Sequence, residues 1–381
     1  MRAVTCRGGE LTVEEVPRPT PGKGQVLLKV TRVGICGSDL HARHSCDASA
    51  DVAAETGYEH FMRSTDSVVM GHEFSGEVAE YGPGCRQEWP VGTPVVAPPL
   101  LRHGEDMHMV GFTTFAPGAY AEYVVVAEDM AMPVPVPLPT ELAALTEPLS
   151  VALHAVRRSE IGRRDTAVVI GCGPVGLAVI LMLKARGVRT VVASDYSPSR
   201  RAVARQCGAD VVVDPATASV WDAYTPPKRE VRTVTDRYTR GLDAMAALRK
   251  VPKLPWWRVV RAADNAGMMA GPVVYECVGV PGVIEQIVTE APFLARVVVV
   301  GVCMAPDTFR PTMAINKEIT MRFVFNFDTA EFREALMLMA KGTVDPRPLV
   351  TSTIGLADVP AAFDDLARAP EQVKVLVDPS R

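Results

Sequence analysis

The stretch Thr166-Ala167-Val168-Val169-Ile170-Gly171-Cys172-Gly173-Pro174-Val175-Gly176 constrains this chain more than any other. An uninterrupted apolar run that stops at closely spaced glycines reads as a strand buried on both faces. The turn after it leads into the helical pattern from Leu177 to Ala185. Such a turn lets backbone N–H groups at a helix N-terminus meet a pyrophosphate. Gly171, Gly173, Pro174, Val175 and Gly176 are therefore candidate dinucleotide contacts. A second β-prone run, Thr190 to Ser194, ends in Asp195, about 20 residues past the last glycine, where a carboxylate accepts ribose hydroxyls. That acid repels a 2′-phosphate, so the expected cofactor is NAD rather than NADP, with Arg200 and Arg201 pulling the other way.

The alternation of strand and helix continues through Ser199 to Gln206, Val211 to Asp214, Val273 to Gly279 and Arg296 to Gly301, which predicts a doubly wound parallel sheet. It is interrupted from Trp221 to Pro272, where ten Lys/Arg face five Asp/Glu. A connection of that length inside an α/β domain reads as an insertion. Its paired Trp256 and Trp257 are expected to pack onto their own domain.

A chain of 381 residues, 48% hydrophobic and 22% charged, is long enough for two domains with real cores. A net charge of −4 argues against a nucleic-acid partner. No apolar run approaches the roughly 18 residues of a membrane-spanning helix, and Met1 to Thr5 reads as a first strand and not a leader, so a cytoplasmic protein is expected. The eight cysteines form no CxxC pair, as expected of reduced thiols, some of which can bind metal.

Ahead of the nucleotide stretch, residues 1–33 alternate β-prone runs with Pro and Gly, the punctuation of a small antiparallel sheet. Two further stretches follow: Gly34-Ile35-Cys36-Gly37-Ser38-Asp39-Leu40-His41 and Met70-Gly71-His72-Glu73-Phe74-Ser75-Gly76. A thiolate and a neutral imidazole select a borderline-soft ion such as Zn²⁺, and a carboxylate completes a three-ligand site with one open position.

With Gly118-Ala119-Tyr120-Ala121-Glu122-Tyr123 and Glu147-Pro148-Leu149-Ser150, these motifs occur in an order that resembles the zinc-dependent medium-chain dehydrogenase/reductase family, in its polyol and threonine dehydrogenase branch. The resemblance implies an α/β chain in which a Rossmann domain is inserted into a GroES-like, mainly β catalytic domain. Residues 1–153 would form the first part of the catalytic domain, residues 154–303 the Rossmann domain with its insertion at 221–272, and residues 304–381 the return. The active site would lie between the two domains. Cys36 and His72 match the catalytic zinc ligands, and Glu73 and Glu147 match two carboxylates near the metal, of which either could be the third ligand. Asp39 matches the acid behind the histidine ligand, Ser38 and His41 match a proton path to solvent, and Val278, Gly279, Gly301 and Val302 match the nicotinamide side. The implied activity is NAD(H)-linked interconversion of a secondary alcohol or polyol and its ketone by a homodimer or homotetramer. The strand near Ile319 to Val324 is placed to pair across a two-fold axis. The alternatives are a metal-free quinone or enone reductase of the same fold, and a non-catalytic NAD-binding protein.

Two stretches depart from the family. Where it usually carries four closely spaced cysteines, residues 98–110 carry none, so one catalytic zinc and no structural zinc is expected. His103, Asp106 and His108 are then expected in a solvated loop, with a degenerate metal site as the alternative. The segment from residue 42 to 69 is long, with His44, Cys46, Asp47, His60 and Met62, and is expected to form a specificity loop.

Overall fold

The computed structural model describes residues 1–223, 231–265, 271–368 and 371–381. These divide into two compact units, Met1–His154 with Asn326–Arg381, and Ala155–Phe325.

The first unit is built on the strand Gln25–Gly34, whose Val26, Leu27, Leu28 and Val33 are fully buried. Three antiparallel partners use it: Glu73–Tyr81, Tyr123–Ala127 and the late strand Lys374–Asp378. The register sets Gly34 opposite both Glu73 and Leu376, so residues more than 300 positions apart flank one glycine. Phe74, Val78, Val124, Val126, Phe363, Val375 and Val377 close the core around that strand. A second, small sheet joins Arg2–Arg7 to Glu10–Glu15 and Val68–Val69.

The second unit carries six parallel strands in the spatial order Val211–Val213, Thr190–Ser194, Thr166–Ile170, Val273–Glu276, Arg296–Val299 and Thr320–Phe323. The strand order reverses between Thr166–Ile170 and Val273–Glu276, the position at which open α/β sheets bind ligands. The sheet therefore runs past residue 303. Thr320–Phe323 is its sixth strand because Met321 and its neighbours continue the parallel ladder, and the chain returns to the first unit at Asn326 rather than at 304.

The first half of the segment expected as a specificity loop belongs to the helix Gly37–Glu55, with one non-helical residue at Ser45. The alanine-rich run from Ala48 to Ala54 explains this, since alanine has the highest helix propensity. Cys46 and Met62 are buried in the core and are packing residues. Residues 98–110 form a hairpin whose tip, with His103 and Asp106, is exposed as expected, while His108 is not. Leu100–His103 and Asp106–Met109 pair as a hairpin, and His108 is 3% exposed. In the insertion, the helix Val234–Arg249 has no buried residue, and Trp257, at the start of the helix Trp256–Asn265, is exposed rather than packed. The remaining parts of the insertion, 224–230 and 266–270, lie outside the described residues.

One close approach prepares the first unit's site. Gly118, Ala119 and Tyr120 donate to the carbonyls of Val69, Gly71 and Met70, fixing the backbone just before His72. A Cβ at Gly118 would lie 2.3 Å from the Met70 carbonyl oxygen, too close for any side chain. Gly118→Ala is expected to lower the unfolding free energy by about 1–3 kcal/mol in urea titration. Gly241→Ala, in an open helix position with nothing within 4 Å, is expected to be neutral or to stabilise by up to about 1 kcal/mol.

Candidate metal and nucleotide sites

Cys36 stands at the N-cap of the helix Gly37–Glu55, and burial with Glu73 close by raises its thiol pKa, with His72 and Lys374 opposing. One turn on, the Asp39 carboxylate turns back. It accepts the Cys36 N–H at 3.0 Å, the Tyr120 hydroxyl at 2.6 Å and the His72 Nδ1–H at 3.0 Å. Burial alone would raise the carboxyl pKa of Asp39, but His72, Tyr120 and the Cys36 amide outweigh it and the net shift is downward. The same pair acts in reverse on His72: burial lowers its pKa, Asp39 raises it, and the net value lies well above the ordinary one. With Nδ1 engaged, Nε2 is the free donor, as in metal sites where a carboxylate fixes the histidine tautomer.

The donor atoms of Cys36, His72 and Glu73 all lie within 4.8 Å of one another. Glu73 is fully buried, and Lys374, 1% exposed, donates to its two oxygens at 2.8 and 2.6 Å and to the Ile35 carbonyl at 3.0 Å. Burial would lower the Lys374 pKa; Glu73 and Cys36 raise it, and the lysine stays charged. Gly34 makes this pair possible, because a Cβ there would stand 2.2 Å from Glu73 Oε2. Glu147, in the first turn of the helix Thr146–Arg158, is also buried. Its carboxyl is pushed up to about 7 by burial, with Glu73 adding and His72 and Lys374 opposing. Ser38 Oγ stands 3.7 Å from the Cys36 sulfur. His41 is half-buried, its Nδ1 is buried without a partner, and burial lowers its pKa. One thiol, one imidazole and one carboxylate with an acid behind the imidazole suit a zinc ion.

Lys374 and Tyr120 are the participants that sequence reasoning missed. The first had a signal: a lysine in the otherwise apolar run Val373 to Val377.

In the second unit, Gly173 caps the helix Pro174–Ala185, and a Cβ placed on it meets nothing within 4 Å, which leaves its N–H side open to a phosphate. Gly176 is required for packing, since a Cβ there would lie 1.9 Å from the Gly171 carbonyl oxygen. Pro174 and Val175 open the helix. Asp195, at the end of its strand, accepts from Cys172 N at 2.7 Å and Ser197 N at 2.8 Å. Arg201 is engaged by Asp214 at 2.9 Å and by the Asp195 and Tyr196 carbonyls, whereas Arg200 Nε is buried without a partner. Val278 and Gly279 donate to the Glu276 carboxylate at 2.7 and 2.8 Å, and Gly301 and Val302 lie directly against Gly279. These residues follow the ends of four adjacent strands, Thr190–Ser194, Thr166–Ile170, Val273–Glu276 and Arg296–Val299, with the switch point between the middle two. The open turn and the oriented acid fit a dinucleotide.

Residues 22–136 match the alcohol dehydrogenase GroES-like domain family, and residues 174–341 match the zinc-binding dehydrogenase family. The chain is similar to (R,R)-butanediol dehydrogenase of Bacillus subtilis (strain 168), with 32% identity over 97% of each chain. It is also similar to scyllo-inosose 3-dehydrogenase of Thermotoga maritima, with 35% identity over 65% of each. Among solved structures, 2R,3R-butanediol dehydrogenase from Bacillus subtilis superposes with a TM-score of 0.74 at 30% identity, covering 99% of both chains. A zinc-binding dehydrogenase from Sinorhizobium meliloti 1021 bound to NADP gives 0.77 at 26% identity, again over 99% of both. The sheets described above, the buried donor set and these matches agree: the chain belongs to the zinc-type medium-chain dehydrogenases, in their polyol dehydrogenase branch.

Proposed function

We propose that the protein is a zinc- and NAD(H)-dependent dehydrogenase that interconverts a secondary alcohol or polyol and its ketone. The observation that carries this reading is the convergence of the Cys36, His72 and Glu73 donors, with Ser38 beside the sulfur. Similarity to butanediol and polyol dehydrogenases supplies the substrate class. A quinone or enone reductase that works without metal has no use for a buried thiol, imidazole and carboxylate held together.

When bound, zinc polarises the substrate oxygen and the nicotinamide exchanges the hydride. The chain's residues do the rest. Cys36, His72 and Glu73 would hold the ion, and Asp39, by accepting the His72 Nδ1–H, orients the ring so that Nε2 is the nitrogen left for it. Lys374 cancels the charge of Glu73, so that the donor set does not carry an uncompensated excess of negative charge inside the core. Ser38 would take the hydroxyl proton and His41, kept neutral by burial, would receive it on its unpartnered Nδ1. The Asp195 carboxylate would accept the ribose hydroxyls and disfavour a 2′-phosphate. The exposed edge strand Thr320–Phe323, with Phe323 68% and Phe325 84% exposed, supports assembly into a dimer or tetramer. Among the described residues no helix is long and apolar enough to cross a membrane.

Cys36→Ser is expected to lose its zinc and more than about 100-fold in kcat/KM on a panel of diols and polyols, beyond the loss of an outer partner of a ligand. Retained turnover in a chain shown to be metal-free would overturn the proposal. Because zinc must displace a proton from the Cys36 thiol, whose pKa is raised by burial and by Glu73, affinity is expected to fall with pH; chelator competition between pH 8 and 5 measures this. Glu73→Gln is expected to weaken zinc binding more than Glu147→Gln, and the reverse order would transfer the third ligand to Glu147. Asp195→Ala is expected to raise KM for NADH while improving turnover with NADPH, read from initial rates with both cofactors.

A further inference from the structure

The hairpin Leu100–His103/Asp106–Met109 pairs Leu101 with His108 and His103 with Asp106. Residues directly opposite and two apart share a face, so His103, Asp106 and His108 project from the same side. A separate stretch joins them. The Tyr58 hydroxyl accepts the Met109 N–H at 3.0 Å, which brings the His60 ring to 4.9 Å from that of His108, centre to centre. His103 stands 5.4 Å from His108 on another side, and Phe115 stacks on His108 at 5.0 Å.

His108 is 3% exposed, and its Nδ1 is buried with no hydrogen-bond partner. A buried ring nitrogen left unmade costs about 1–3 kcal/mol, so a packing role alone leaves it unexplained. Burial, with His60 and His103 close by, lowers the pKa of His108, which keeps a lone pair available on the neutral ring.

The spacing of the rings is what a shared ion needs. With a metal–nitrogen bond of about 2.05 Å, a ring centre lies roughly 3.2 Å from the ion, and two rings at a tetrahedral angle have centres about 5.2 Å apart. The observed 4.9 and 5.4 Å fall on either side of that value. The three sets of ring nitrogens do not yet converge within one coordination sphere, as those of Cys36 and His72 do with the Glu73 carboxylate. His103 is exposed and His60 half-buried, so both rings are free to turn toward the orphaned nitrogen.

We propose that His60, His103 and His108 form a second metal site, with Asp106 available as a fourth donor, for a borderline divalent cation such as Zn²⁺. Imidazoles select Zn²⁺, Cu²⁺ or Ni²⁺ over Mg²⁺ and Ca²⁺, which require oxygen ligands. The ion would clip the Tyr58–His60 stretch to the hairpin and so stiffen a lobe that contains no thiolate ligand. The sequence expectation of no second ion rested on the missing cysteines, and what the structure adds is the His60 ring beside that of His108.

Metal content and calorimetric titration with Zn²⁺ test this on the whole protein. The wild type is expected to take up a second equivalent beyond the catalytic one. The double variant His60→Ala/His103→Ala changes accessible residues, so its fold, checked by circular dichroism, is expected to persist. It should bind the second equivalent more than about tenfold more weakly while keeping the first. In Cys36→Ser, Co²⁺ should give the spectrum of a nitrogen and oxygen site without thiolate charge transfer, and Zn²⁺ should raise Tm; adding the two alanines should abolish both. Uptake that stops at one equivalent in the wild type, or a second equivalent undiminished in the double variant, would reduce the cluster to aromatic packing and overturn the proposal without touching the catalytic reading.

Discussion

The buried Lys374–Glu73 ion pair is the interaction on which the first unit's chemistry depends. A carboxylate with no exposed surface beside a thiol and a second acid needs a cation buried with it to offset the loss of water. Lys374 is that cation, delivered by the closing strand to the one place where the central strand lacks a side chain. Removing either partner would leave a lone charge in the core, a cost of about 3–5 kcal/mol. The second pair, Asp39 with His72, follows the same logic with hydrogen bonds in place of a second full charge. The geometry of the proposed metal site and its charge balance are thus one constraint, with Asp39 facing His72 and Lys374 facing Glu73.

The sequence made the nucleotide turn legible because each glycine does something no other residue can. Gly173 leaves space, Gly176 permits a contact that a methyl group would block, and both demands are written locally. Cys36 and His72 were legible because their neighbours form recognisable motifs. Lys374 was not, since a lysine in a strand ordinarily faces water, and only the pairing of residues hundreds of positions apart turns this one inward. The same applies to Tyr120, whose hydroxyl reaches Asp39 only once the segment from Gly118 is laid along Met70.

Errors at the level of organisation have equally physical causes. The return of the chain was placed early because Arg296 to Gly301 looks like a final strand, whereas the weakly apolar run Thr320–Phe323 adds one more, with its side chains half-exposed at the edge. Residues 98–110 were read as solvated because they lack the expected cysteines. A hairpin buries one face whatever its composition, and His108 falls on that face.

The discontinuity of the first unit has a consequence for biosynthesis. Glu73 and the lysine that neutralises it are separated by 301 residues, so on a ribosome adding roughly 5–20 residues per second the acid waits about 15–60 seconds for its partner. During that interval the end of the central strand at Val33 and Gly34 lacks the closing strand, and the Rossmann sheet gains its sixth strand, Thr320–Phe323, only shortly before Lys374 is made. The nascent polypeptide therefore completes its two lobes close together, the second unit at Phe325 and the first only when the closing strand follows at Lys374.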